Sequence, residues 1–100
     1  MSNGQNKKIR QANWQLVQKV LNEHWDPLGV ADQVDDEYDS YVGTTCHMLA
    51  DRRASQRSIR DYLYMNATVS MGLPPSPRMV ERCEQAADIL VGLRSRFETH

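Results

Sequence analysis

The sequence predicts an all-α domain, an antiparallel four-helix bundle, and three observations predict it. Apolar residues recur at three- to five-residue spacings through four long segments. Proline, glycine and serine mark the boundaries between them. No stretch alternates like a strand for long; residues 41–46 could do so alone, but the helical period around them is longer. One hundred residues make one domain. A chain of this size buries roughly two-thirds of its unfolded surface, enough for one core.

Residues 1–5 are polar and aperiodic and are expected to be disordered. Helix 1 is predicted over 7–25, where Ile9, Trp14, Val17, Leu21 and Trp25 form one apolar stripe. Pro27 ends it and disfavours α geometry at Asp26, and Gly29 permits a turn. The Asp26 carboxylate can accept from nearby backbone amides and fix that turn. The loop over 26–35 carries Leu28, Val30 and Val34, which are expected to tuck onto the core. Helix 2 is predicted over 36–53, with Asp35 or Asp36 as N-cap and the next acids suited to the positive end of the helix dipole. Its stripe is Tyr38, Tyr41, Val42, Thr45, Met48 and Leu49, and Arg52 and Arg53 close it. Gly43 costs this helix about 1 kcal/mol, so close approach of a neighbouring helix is expected there.

Helix 3 is predicted over 56–71, with Ser55 as N-cap and Ile59, Leu63 and Ala67 inside. Gly72 fits the position after its end, and Pro74-Pro75 stop the segment. Ser76-Pro77 starts helix 4, predicted over 77–97. Its stripe is Val80, Cys83, Ala87, Leu90, Arg94 and Phe97.

Charge is sorted along the chain. The net charge is −1, so no global field points to nucleic acid. Yet no Lys or Arg occurs between Lys19 and Arg52, an interval that holds eight carboxylates, whereas residues 1–19 hold four cations and no acid. No apolar run is long enough for a membrane span. The opening residues lack the apolar core of an export signal, so a cytoplasmic location is expected, with Cys46 and Cys83 as reduced thiols.

Two motifs, W-D-P-L-G-V at 25–30 and D-E-Y-D-S-Y-V at 36–42, followed by M-G-L at 71–73, carry a resemblance. The chain from Trp25 to Leu73 resembles a small bacterial family of helical proteins for which no activity is established. The matching positions are Trp25, Asp26, Pro27, Gly29, Val30, Asp36, Glu37, Tyr38, Asp39 and Tyr41. The resemblance implies a compact helical cytoplasmic protein and implies no chemistry. Helix 4 lies outside it and rests on periodicity.

The candidate functional residues emerge from the charge sorting. Asp32, Asp35, Asp36, Glu37 and Asp39 fall within eight residues, more carboxylates than capping one helix requires. The leading expectation is a non-enzymatic protein-interaction module with no cofactor, a monomer or weak homodimer. Its acidic corner would steer a partner with a basic surface and hold it on an edge of Tyr38 or Tyr41. A carboxylate-bound divalent cation is a lesser reading, because the EF-hand spacing is absent. The alternative of another class is a nucleic-acid contact through Arg53, Arg57, Arg60 and Tyr64, which recur on one face of helix 3. There the solvated reading pairs Arg57 with Asp61 at i+4. Cys46 and His47 are adjacent, so their side chains diverge on a helix, and no zinc motif or phosphate loop is present.

Overall fold

In the computed structural model, the backbone is described for residues 3–97 except 35 and 52, with side chains from residue 7. Four helices and no strands among these residues form a helical bundle. Helix α1 covers Asn3–Val20 and continues as a wider π turn over Leu21–Trp25. Helix α2 covers Asp39–Ala50, α3 covers Gln56–Met65 with a π turn over Asn66–Ser70, and α4 covers Pro77–Gly92. A tighter 3₁₀ turn, Arg94–Phe97, comes after α4.

The apolar stripes form the core. Val17, Leu21, Trp25, Val42, Leu49, Ile59, Leu63, Cys83 and Leu90 are fully buried. Helices α3 and α4 run antiparallel: Arg60 meets Glu84, and one turn along, Tyr64 and Val80 line the same cavity. Gln18 of α1 reaches Asp39 at the start of α2. The Ser caps form as the sequence dictates. Ser55 Oγ accepts from the Ser58 amide at 3.1 Å, and Ser76 Oγ accepts from the Met79 amide at 3.1 Å. Each satisfies an amide that has no partner within its helix.

The boundaries depart from the sequence expectation where tertiary contacts intervene. Helix α1 begins at Asn3, four residues before the predicted start, and residues 1–2 of the segment expected to be disordered lie outside the described residues. Helix α2 begins at Asp39, not near residue 36. The preceding residues are taken up by a turn, in which the Asp39 amide donates to the Asp36 carbonyl at 3.2 Å. Tyr38 occupies the N-cap position and makes no side-chain capping bond, so Asp36 does not cap α2; Asp35 and Arg52 lie outside the described residues. Helix α2 also ends early, because Asp51 is extended (φ −92°, ψ 112°). Beyond its own helical backbone, no atom of the described residues lies within 4 Å of where a Cβ on Gly43 would stand, so no other described helix approaches it closely. Helix α4 stops at Gly92, and Arg94 leaves the predicted stripe.

Candidate functional site

The corner joining α1 to α2 begins with a backbone detail. The π turn closes with the Asp26 amide donating to the Leu21 carbonyl at 2.9 Å. Asp26 itself is left-handed (φ 30°, ψ 60°), the one non-glycine residue with positive φ among those described. Pro27 disfavours the right-handed alternative at Asp26, and a short polar side chain tolerates the left-handed one. The Asp26 carboxylate then organises the loop beyond it. Its Oδ1 accepts from the amides of Val30 at 3.1 Å and Ala31 at 3.3 Å, and from the Tyr38 hydroxyl at 2.6 Å. The Tyr38 oxygen in turn accepts from the Leu28 amide at 3.0 Å. The Gly29 amide closes a turn onto the Asp26 carbonyl at 3.1 Å. The first half of the loop is therefore tied to one carboxylate or to the phenol it holds.

Apolar packing and a distant arginine complete the corner. The Trp25 ring lies 5.1 Å from Tyr38 and 5.5 Å from Tyr41, the second contact edge-on. The Trp25 carbonyl accepts from Arg82 Nε of α4 at 3.1 Å. Burial first, and then the Asp26 carboxylate, push the Tyr38 phenol well above its ordinary pKa. It remains a donor across the physiological range.

This geometry divides the candidate residues. Tyr38 is 1% exposed and hydrogen-bonded within the fold, so it is no partly exposed anchor. Tyr41 is half-buried against Trp25. Asp39 is half-buried, and its Oδ1 accepts from Gln18 Nε2 at 2.8 Å. Asp32, Asp36 and Glu37 are exposed and enter no ion pair among the described residues. Leu28 and Val34, expected on the core, stand outside at 37% and 40% exposure. The loop thus presents carboxylates and two aliphatic side chains, its first half on a backbone held by these bonds. Sequence reasoning missed the aliphatic pair, because nothing local says that the loop turns them outward.

The arginine face of α3 is largely neutralised by its own neighbours. Arg60 donates to Asp61 at 2.9 Å and to Glu84 of α4 at 3.1 Å. The Arg53 amide and guanidinium both donate to Asp51, at 3.0 and 3.3 Å, and hold that carboxyl below its usual range. Arg57 is exposed and does not pair with Asp61, which is taken by Arg60. Tyr64 is half-buried against the core. These residues do not form one free cationic stripe.

Other chemistry finds little support. No three His, Cys, Asp or Glu side chains converge as metal ligands among the described residues. Cys83 is buried, and Cys46 is half-buried with burial pushing its thiol up to about 11. Thiols so raised are poor nucleophiles at neutral pH. A groove of about 320 Å³ runs between Trp25–Gly29 and the start of α4, where Arg78, Met79 and Arg82 face it. No helix among the described residues is long and apolar enough to cross a membrane.

No family model, no curated protein and no solved structure matches this chain.

Proposed function

We propose that the domain is a non-enzymatic interaction module whose loop over residues 28–37 docks a protein with a basic surface. The observation that carries this reading is the division of carboxylates within the corner. Asp26 and Asp39 are turned inward and hydrogen-bonded, whereas Asp32, Asp36 and Glu37 face solvent without cationic partners among the described residues. The first half of the loop is tied by hydrogen bonds before any partner arrives, which lowers the loop entropy that binding loses. Its exposed carboxylates steer encounter, and Leu28 and Val34 supply apolar area at contact. Tyr41 contributes only its exposed edge. The pairing of Arg60 with Asp61 and Glu84, and of Arg53 with Asp51, weighs against a phosphate-binding face.

The test is affinity capture from a lysate of the native host at low salt. One bait is the wild-type protein, a second carries Asp32→Lys, Asp36→Lys and Glu37→Lys, and a third carries Leu28→Ser and Val34→Ser. Circular dichroism establishes that all three baits are folded. The expected result is a basic protein held by the wild type, lost from both variants and released by raised salt. Identical retention by wild-type and charge-reversed baits would return these carboxylates to a solvated surface.

A further inference from the structure

The molecule carries a second surface without a partner. In α1, burial recurs with helical period from Asn13 onward, at Val17, Val20, Leu21 and Trp25. Before that point the period vanishes: every residue from Lys7 to Ala12 is exposed. These turns project beyond the bundle. A short helix without tertiary contacts is marginal in water, so this segment gains from being covered. It carries Lys7, Lys8 and Arg10 with no acid, and Ile9 stands 50% exposed among them. The cations make no ion pair among the described residues.

This segment is the chemical complement of the acidic corner, with cations around an exposed Ile on one side and carboxylates beside exposed Leu28 and Val34 on the other. The two cannot meet within one molecule. Gln18 touches Asp39, and Arg10 lies eight residues earlier on the same helix, about 12 Å along its axis. Lys7 lies about 16 Å away. No side-chain ion pair spans those distances.

We propose that the occupant of each surface is a second copy of this chain. The projecting turns of α1 in one copy dock on the loop over 28–37 of the next, with Ile9 against Leu28 and Val34 and with Lys7, Lys8 and Arg10 facing Asp32, Asp36 and Glu37. The two surfaces differ, so the contact is head-to-tail and builds a chain of copies or closes a ring. This rests on the reading of the acidic corner as a docking surface and names its partner.

Charge exchange tests it. One variant carries Lys7→Glu, Lys8→Glu and Arg10→Glu; the other carries Asp32→Lys, Asp36→Lys and Glu37→Lys. Alone, each presents two surfaces of like sign; mixed, each surface finds an opposite. Sedimentation velocity at low salt is expected to show wild-type mass rising with concentration to at least twice the monomer and falling back in high salt. Each variant alone stays monomeric, and the equimolar mixture associates. Carbodiimide cross-linking of mixed light- and heavy-isotope wild-type protein gives an independent measurement. It should join Lys7 or Lys8 of one isotope to Asp36 or Glu37 of the other. A wild type that is monomeric throughout, or variants that associate as the wild type does, would overturn the proposal. A basic host protein held by the acidic loop of a wild type that stays monomeric would sink self-association alone and leave the docking surface standing.

Discussion

The ends of helices 1 and 2 solve one problem in two ways. Each helix ends with backbone carbonyls that lack intrahelical partners. At the end of helix 1 the chain supplies most of the polar contacts from nearby. The Asp26 amide donates to the Leu21 carbonyl and the Gly29 amide to the Asp26 carbonyl, while Arg82, on the Trp25 carbonyl, comes from a distant helix. The Asp26 carboxylate then gathers donors four, five and twelve residues on. At the end of α2 the donor comes from far along the chain. Arg94 Nε donates to the Leu49 carbonyl at 3.1 Å, and its Nη2 donates to those of Met48 at 3.1 Å, Asp51 at 3.3 Å and Ala54. Local closure fixes a loop that can present groups to a partner. Remote closure staples the α2–α3 connection to the turn after α4 through the carbonyls of Met48, Leu49, Asp51 and Ala54.

The comparison breaks most sharply at Asp26. Asp26→Ala leaves two amides and a buried phenol short of an acceptor, and is expected to cost about 3 kcal/mol, given about 1–3 kcal/mol for each unsatisfied buried group with partial rescue by water. Asp26→Asn keeps an acceptor and tolerance of the left-handed region, so it should cost clearly less. Urea unfolding of the two variants measures the difference. Equal, small losses would mean that the carboxylate does not organise the corner.

Arg94→Met comes next, at about 2 kcal/mol, within the range for hydrogen bonds to charged groups. Its carbonyl partners are partly wet, which limits the loss. Arg94→Lys should restore little, because one ammonium cannot reproduce the planar fork. Amide exchange is expected to quicken in residues 49–56 and not in the 26–38 loop. Quickening in both would mean that the two ends are not independent.

Tyr38→Phe probes the inner loop more gently. The aromatic packing against Trp25 survives, and the Leu28 amide and Asp26 each lose one partner. The expected cost is about 1 kcal/mol. In a Trp14→Phe background, the Trp25 fluorescence maximum should stay that of a buried indole, since Trp25 is 1% exposed. A large red shift would show that the hydroxyl, rather than the ring, keeps the corner closed.

These residues also mark how much of the molecule is legible in its sequence. Helical period locates all four helices, and Ser55 and Ser76 locate two starts, because both signals act over a few residues. W-D-P-L-G-V marks the corner, and an Asp before Pro is itself a turn signal. The role of Tyr38 is not legible, because its place on the helix 2 stripe suits core and partner equally. What buries it, the Trp25 ring and the Asp26 carboxylate, lies twelve and more residues away. Arg94 suits the helix 4 stripe by spacing, but its acceptors lie 40 to 46 residues away. The outward turn of Leu28 and Val34 depends on the Asp26 network, which periodicity does not report.

The smallest effect should carry the opposite sign. Gly43 sits inside α2, where the sequence suggests that a neighbour excludes a side chain, yet the space beside it is open. Its φ is not positive, so an L-residue fits the backbone without strain. Gly43→Ala removes conformational freedom from the unfolded chain and is expected to stabilise the domain by about 0.5–1 kcal/mol. Thermal melting of the single variant measures it. If the melting point falls instead, α2 has a close neighbour at Gly43.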